Sequence, residues 1–463
     1  MNDWSAELAV ESRAAERQPK YARLAERIGA AIRRGDLAPG QRLPSHRSLA
    51  YQLGVSIGSV ARAYEELARE GLVSGEVGRG TIVLPQSEKS WIGLGREGAF
   101  VDLALVRPPP IEATDVLEAV GEKTLRTLGG QWTLLGLGDF APEQGEPRHR
   151  RAAAQWLQRR EVPCTEETTC FTVGAQEALA SALIALARRS KKVLVERLTF
   201  SSLRDLGGEL GLDLCPVEMD EQGALPDDLL RQARRHKATV AVLQPSLQSP
   251  TARGMSEDRR REIVAATRQA GLSVVEYEAW ASVVEPQAPS LAALAPERVI
   301  HVEAFSNGLA PGLRVGVLHA PEPLAPSVLA ARHALVLATP NVTAEIATHW
   351  IAKRIAHGLA AAIAAENRRR MRIARRVLGP AIGPAPDAAP FVWIPCDKGD
   401  DLRIADKALA EGVRILPAAR FAVGRRAPAG VRVALSSART EDELKGALDR
   451  LEAMLGTREP RDR

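Results

Sequence analysis

The 463-residue sequence is poor in cysteine and in aromatic residues, and it has no long apolar run. Its four cysteines are scattered, with neither the paired spacing nor the Cys/His spacing of a zinc site. Sparse thiols of this kind fit a reducing compartment. No stretch approaches the roughly 20 apolar residues of a membrane span, and residues 1–17 lack the apolar centre of a signal peptide. We therefore expect a cytoplasmic protein without a metal site or a membrane partner.

Positive charge is unevenly placed along the chain. The net charge is +5, and residues 20–86 alone hold ten Lys and Arg against six Asp and Glu. A basic segment joined to a nearly neutral remainder favours a phosphate-bearing partner, although a solvated surface would give the same count. The length allows two or three domains with a large core.

The basic segment has the pattern of three helices followed by a hairpin. Apolar residues recur at helical spacing over residues 21–32. Ser45 and Ser56 are good N-caps for a second and a third helix, and residues 72–84 read as two short strands. This order predicts a winged helix-turn-helix, whose third helix enters the major groove.

The sequence of this segment resembles that of the GntR family of DNA-binding regulators. The matching residues are 37–47, 53–56, 62–67, 71–73 and 78–81. The resemblance implies a double-stranded DNA operator as the partner. Arginine can form bidentate hydrogen bonds to a guanine edge or to a phosphate. Any single arginine here can equally be a solvated surface residue. The residues expected to meet DNA are Arg42, Ser45, Arg47, Ser56, Ser59, Arg62, Arg79 and Gly80.

By composition, the chain divides into four parts. Residues 1–18 are a flexible N-terminus, and residues 19–85 form the winged helix-turn-helix domain. Residues 86–115, which are polar and proline-containing, form a linker, and residues 116–463 form a larger domain. In the larger domain, short β-branched runs alternate with helical stretches, and a smaller α+β lobe ends the chain. The pattern predicts an α/β domain with a mostly parallel sheet and helices on both faces.

Residues 305–316 read F-S-N-G-L-A-P-G-L-R-V-G. This stretch resembles the cofactor-lysine segment of fold-type I pyridoxal-phosphate (PLP) enzymes, in the form carried by MocR-type regulators. The resemblance implies a fold-type I aminotransferase-like body with PLP as cofactor. Asn307, however, stands where the lysine belongs, and a carboxamide nitrogen cannot form an imine with PLP.

The resemblance also marks anion-binding positions. Gly174-Ala175-Gln176 matches the phosphate-binding turn, while Ser306 and Arg314 match phosphate ligands. Arg432 matches the arginine that clamps a substrate carboxylate. An ordinary strand–helix turn and structural ion pairs would use the same residue types.

Other positions of the same site depart from the family pattern. Ser249 replaces an Asn, Tyr277 an Asp that holds a proton on the pyridine nitrogen, and Trp280 a Tyr. Phe200 falls where the family has a ring-stacking or hydroxyl-bearing aromatic residue, although core packing explains a phenylalanine there better. With Asn307, four changed positions predict a pocket that keeps its cationic groups but not its electron-sink chemistry.

We therefore expect a homodimeric transcriptional regulator and not an enzyme. Its degenerate aminotransferase-like domain would sense a small anionic effector or serve dimerisation, without covalent PLP. Alternatives are a PLP-binding regulator, an aminotransferase using a lysine outside the motif, and an architectural DNA binder with an inert body. The eight histidines show no metalloprotease or Ser-His-Asp pattern.

Overall fold

A computed structural model of the protein divides the chain into two compact units, Met1–Glu97 and Gly98–Arg463. It describes residues 19–34, 36–37, 41–69, 72–76, 80–83, 100–111, 116, 120–121, 124, 126, 141–188, 190–285, 288–397, 399–424 and 427–456. The predicted flexible N-terminus and Arg79 lie outside these residues. Within the described ranges, no helix has both the length and the apolar character needed to cross a membrane.

The first unit contains the predicted three helices and hairpin. Its elements are α1 (Lys20–Arg34), α2 (His46–Leu53), α3 (Ile57–Arg69), β1 (Val73–Glu76) and β2 (Gly80–Val83). The strands are antiparallel, with Val73 opposite Val83. Ile28, Leu49 and Leu67 are fully buried between the helices, as the periodic apolar pattern predicts.

A tight turn joins the two helices at the centre of this unit. Gly54 ends α2 with φ +63°, a left-handed conformation that favours glycine. Its amide donates to Ala50 O, and the Val55 amide donates to the same carbonyl at 3.1 Å. The turn fixes the point at which α3 starts.

The second unit is built on a seven-stranded sheet. Its strands are β4 (Thr169–Thr172), β5 (Lys192–Glu196), β6 (Asp213–Val217), β9 (Val240–Leu243), β10 (Ser273–Glu278), β11 (Val299–Glu303) and β12 (Gly316–His319). Two short strands, β7 (Met219–Asp220) and β8 (Gly223–Ala224), form a separate hairpin. The strand order is β4-β12-β11-β10-β9-β5-β6, with only β12 antiparallel to its neighbours. The predicted α/β fold with a mostly parallel sheet is confirmed.

Helices cover both faces of this sheet, which is why its strands read as continuous apolar runs. The helices are α4 (Pro147–Gln158), α5 (Gly174–Leu186), α6 (Ser201–Glu209), α7 (Pro226–His236), α8 (Glu257–Ala270), α9 (Leu291–Leu294) and α10 (Ala325–Val336). Residues 341–378 then form two helices, α11 (Asn341–Ala352) and α12 (Ile355–Leu378). The break falls at Arg354, whose φ is +58°.

The small lobe follows α12. It contains β13 (Phe391–Pro395), α13 (Asp400–Ala410), β14 (Val413–Arg414), β15 (Leu416–Pro417), β16 (Gly430–Ala434) and α14 (Glu441–Gly456). One strand from the predicted linker, β3 (Val101–Asp102), pairs in parallel with β14. This end of the linker segment therefore belongs to the second unit.

Candidate functional site

The turn between β4 and α5 meets the loop before β12 at one corner of the sheet. Gly174 begins α5 with φ +73°, and a Cβ placed on it would lie 3.2 Å from Arg314 Nη2. A Cβ on Gly316 would lie 2.7 Å from Ala175 N. Both glycines are therefore needed for the close approach. The helix N-terminus and the Arg314 guanidinium together form a corner suited to an oxyanion.

The loop that carries Arg314 is held from within. The Ser306 amide donates to Val315 O at 2.9 Å, and the Val315 amide donates to Ser306 Oγ at 3.0 Å. Asn307 Nδ2 makes only a long contact, 3.5 Å, with Ala279 O. Ser306 therefore shapes the loop, while Asn307 lies at its half-buried tip.

Two aromatic rings, one on β10 and one at the residue before α6, pack against each other. The rings of Phe200 and Tyr277 are stacked, with centroids 4.2 Å apart and planes 9° apart. Each side chain is only 8% exposed. Burial raises the pKa of Tyr277 to about 12, against the opposing charge of Arg314. The phenol is therefore neutral and lies within electrostatic range of Arg314.

Arg432 carries a positive charge with no acidic partner among the described residues. Its Nη1 donates to Ser249 Oγ at 3.0 Å, and its Nη2 donates to Ala104 O at 2.8 Å. Its guanidinium carbon lies 4.8 Å from the ring centroid of Phe421 and 5.5 Å from that of Phe391. Burial lowers the pKa of Arg432 to about 10, so the group stays charged at neutral pH.

The third guanidinium nitrogen of Arg432, Nε, is buried and has no hydrogen-bond partner within the described part of the protein. A buried donor on an arginine without a counter-ion is costly unless an anion binds beside it. The arrangement suits a carboxylate, which accepts from guanidinium N–H groups.

In the first unit, Arg42, Arg47 and Arg62 are exposed. The serines predicted to meet DNA make hydrogen bonds at the starts of α2 and α3. Ser45 Oγ accepts from Ser48 N at 3.2 Å as the cap of α2. Ser56 Oγ accepts from Ser59 N at 3.1 Å and lies 2.9 Å from Ser59 Oγ.

Arg62 also lies beside α1, with its guanidinium carbon 5.8 Å from the Tyr21 ring centroid. Gly80 begins β2. Two large apolar side chains of this unit, Tyr51 and Ile57, are exposed. The helical spacing of Val60, Tyr64 and Leu67 already predicts that Ile57 points outward, whereas the exposure of Tyr51 is visible only in the fold.

Two families match the chain in separate segments. Residues 20–83 match the bacterial regulatory proteins of the gntR family, and residues 113–451 match the aminotransferase class I and II family. The chain belongs to the aminotransferase class I and II family. It carries a GntR domain ahead of its aminotransferase domain, as the two sequence resemblances predict. Family membership implies PLP as the cofactor of the fold.

Two curated relatives are named as HTH-type transcriptional regulators. The HTH-type pyridoxine biosynthesis transcriptional regulator PdxR of Corynebacterium glutamicum is 30% identical over 451 residues, covering 92% of this chain and 93% of its own. The HTH-type transcriptional regulator TauR of Rhodobacter capsulatus is 29% identical, covering 69% of this chain and 71% of its own. The protein is thus a DNA-binding member of the GntR regulators.

A solved structure shares the fold of the aminotransferase domain. The kynurenine aminotransferase of Pyrococcus horikoshii superposes with a TM-score of 0.70 at 19% identity, over 78% of this chain and 91% of that chain.

Two predicted pocket residues of the aminotransferase domain contact neighbouring protein groups: Trp280 packs against a ring, and Gln176 donates a hydrogen bond. Trp280 is 6% exposed and packs against Phe391, with ring centroids 6.0 Å apart. Gln176 Nε2 donates to Ser202 O at 3.3 Å. Trp280 and Arg432 thus share a contact with the Phe391 ring.

A buried polar chain behind Ser249 was not anticipated from the sequence. Gln244 Nε2 donates to Glu196 Oε2 at 3.0 Å, and the Ser249 amide donates to Gln244 Oε1 at 3.2 Å. Burial raises the pKa of Glu196 to about 8, so its carboxyl is mostly protonated at neutral pH. The available signal was a Glu at the end of an apolar strand, which Gln244 connects to Ser249 in the fold.

Proposed function

We propose that this DNA-binding regulator uses its aminotransferase domain to sense a small anionic metabolite at Arg432, without covalent PLP chemistry. The observation that carries the proposal is the flat stack of Tyr277 on Phe200. In the family pattern, the aromatic residue at the Phe200 position stacks on the cofactor ring. Here the protein's own phenol covers that aromatic face.

The residues present do not fit PLP. Asn307 offers a carboxamide where an amine must attack an aldehyde, and its Nδ2 donates a long hydrogen bond of 3.5 Å to Ala279 O. Tyr277 offers a neutral phenol where an ionised carboxylate must hold the pyridine proton. No step of an amino-group transfer is therefore assigned to this chain.

Arg432 supports an anionic ligand. Its charge is held between two aromatic rings and has no described carboxylate partner. Ser249 Oγ lies 3.0 Å from it and adds a hydroxyl that can contact a ligand oxygen. A small carboxylic acid fits this chemistry.

The proposal also covers the DNA-binding surface and the assembly. Arg42, Arg47 and Arg62 are exposed and supply cations for phosphate or guanine. The serines orient the helices that carry them. A homodimer would present two such surfaces to an operator with two half-sites.

Thermal unfolding of the full-length protein with a panel of amino acids, dicarboxylic acids and 2-oxo acids tests the ligand. We expect at least one carboxylate to raise the melting temperature of the wild type and to change its affinity for DNA. Arg432→Gln should lose both effects. Arg403→Gln, at an exposed arginine of the same lobe, should keep them. A panel without effect, or an unaltered response in Arg432→Gln, contradicts the proposal.

A second candidate is a regulator that holds a phosphate ester without a covalent bond. The Gly174–Arg314 corner favours it, because this corner combines a helix N-terminus with a guanidinium. Titrations with PLP and with inorganic phosphate distinguish this candidate from the first one. If Arg314→Gln abolishes the binding and Arg432→Gln leaves it unchanged, the second candidate is supported.

A further inference from the structure

The start of α3 exposes an apolar side chain. Ile57 is 51% exposed, whereas Val60, Ala63 and Leu67 on the same helix are fully buried. Among the described residues of the first unit, the large exposed apolar side chains are Tyr51 and Ile57. Ile57 therefore contributes little to the core of this unit, and its exposure has no explanation in the packing.

The position of Ile57 is fixed by the helix cap around it. Ser56 Oγ accepts from the Ser59 amide at 3.1 Å and contacts the Ser59 hydroxyl at 2.9 Å. These two contacts close the first turn of α3. Ile57 is thus presented from an ordered helix start, which is what a base-reading side chain requires.

The next residue leaves room beside Ile57. A Cβ placed on Gly58 would meet nothing nearer than Ser56 Oγ at 4.0 Å. Packing within the protein therefore does not demand glycine, which destabilises a helix relative to alanine. A missing side chain at an exposed helix start allows another molecule to come close.

The major groove contains one strongly apolar group, the C5 methyl of thymine. In a helix-turn-helix, the first residues of the recognition helix contact base edges. We infer that Ile57 recognises the methyl group of a thymine in each operator half-site, with Gly58 allowing the close approach. This inference rests on the DNA-binding function and adds the base that the α3 start selects.

Uracil substitution tests the contact, because uracil differs from thymine only by that methyl group. Duplexes are first enriched from a random pool with the full-length protein. The enriched site is then synthesised with deoxyuridine at each thymine in turn, and affinities are measured at one salt concentration. We expect one thymine per half-site at which uracil weakens wild-type binding about fourfold, the contribution of one buried methyl group.

Ile57→Ala should bind the thymine and uracil duplexes equally. It removes an exposed side chain, so its melting temperature should match that of the wild type. Leu337→Ala, which removes an exposed apolar side chain of the aminotransferase domain instead, should keep the wild-type discrimination.

A wild-type protein indifferent to uracil at every position would overturn the inference, as would discrimination that survives in Ile57→Ala. Both results leave the enriched site, and thus the DNA-binding function, intact. Failure to enrich any sequence would instead overturn that function and this inference with it.

Discussion

Tyr277 lies flat against Phe200, with 4.2 Å between ring centroids and 9° between ring planes. Tyr277 is the second-last residue of the central strand β10, and Phe200 precedes α6, so both belong to the rigid frame of the aminotransferase domain. Stacked aromatic pairs are favourable beyond the area they bury. A cofactor ring would have to separate this pair before it could stack on Phe200.

Restoring the lysine alone should not restore the cofactor. We expect Asn307→Lys to form no imine with PLP, because Tyr277 still covers Phe200. Asn307→Lys combined with Tyr277→Asp should form one, seen as an absorbance band that borohydride reduces. Asn307→Lys with Tyr277→Phe is the matched control, since it keeps the ring in place. An imine in the single variant or in this control contradicts the account of Tyr277.

Glu196 should make the protein less stable as the pH rises. Its ordinary pKa of 4.5 is raised to about 8 by burial. The folded state therefore keeps a proton that the unfolded chain releases. The stabilisation is full below pH 4.5 and is lost as the pH rises through about 8, with a slope of at most about 1.4 kcal/mol per pH unit.

Urea unfolding of wild type and Glu196→Gln between these pH values measures this effect. The variant keeps an oxygen to accept from Gln244 but has no titrating proton. We expect the difference in unfolding free energy to grow in favour of the variant with rising pH. A difference that stays constant would show that Glu196 is not protonated in the folded state.

His301 and Glu276 form a fully buried pair. Their side chains lie 2.8 Å apart with no exposure. Burial opposes the charge on His301, but Glu276 and Glu303 outweigh it and raise the pKa of His301 to about 9. The resulting stabilisation is present below pH 6.5 and is lost as the pH rises through about 9.

Replacing His301 with leucine should therefore be costly. It leaves the Glu276 carboxylate buried without its cation, and we expect a loss of about 3 kcal/mol in unfolding free energy at pH 7. His333→Leu, at a histidine that is 56% exposed, should change stability by less than about 0.5 kcal/mol. Equal effects in the two variants would contradict the buried pair.

The exposed arginines of the GntR domain should make the affinity for DNA depend on salt concentration. If Arg47 contacts a phosphate, Arg47→Ala weakens binding to all DNA sequences and lowers the slope of log affinity against log salt by about 1. Anisotropy titrations over a series of salt concentrations measure that slope. Arg376→Ala, at an exposed arginine of the aminotransferase domain, should leave it unchanged. A wild-type slope in Arg47→Ala would remove Arg47 from the interface.

Much of this architecture follows from local sequence patterns. The Ser45 and Ser56 caps and the apolar period of α1 predict the helix-turn-helix, because capping and amphipathicity are local properties. The buried strands β9 and β10 read as short apolar runs for the same reason. The two family matches confirm the two domains. The pocket positions come from the resemblance alone and stay predictions.

What the sequence does not contain is the meeting of distant segments. Ala104, from the predicted linker, accepts a hydrogen bond from Arg432 at a separation of 328 residues. Phe391 and Phe421 enclose the same guanidinium from different parts of the small lobe. No periodicity or cap signals such contacts, because they depend on how the small lobe folds onto β3. The orientation of Tyr277 onto Phe200 is likewise a property of packing.

Mixing the purified wild-type protein with PLP and then with borohydride tests directly whether a lysine of this protein binds PLP covalently. Mass spectrometry of the intact chain and of its peptides reads the result. With PLP at one equivalent per chain, the missing amine at position 307 and the Tyr277–Phe200 stack predict no stoichiometric labelling of any single lysine. One reduced pyridoxyl group per chain, on a single lysine of the aminotransferase domain, would contradict the account, whereas scattered low-level labelling of exposed lysines would not.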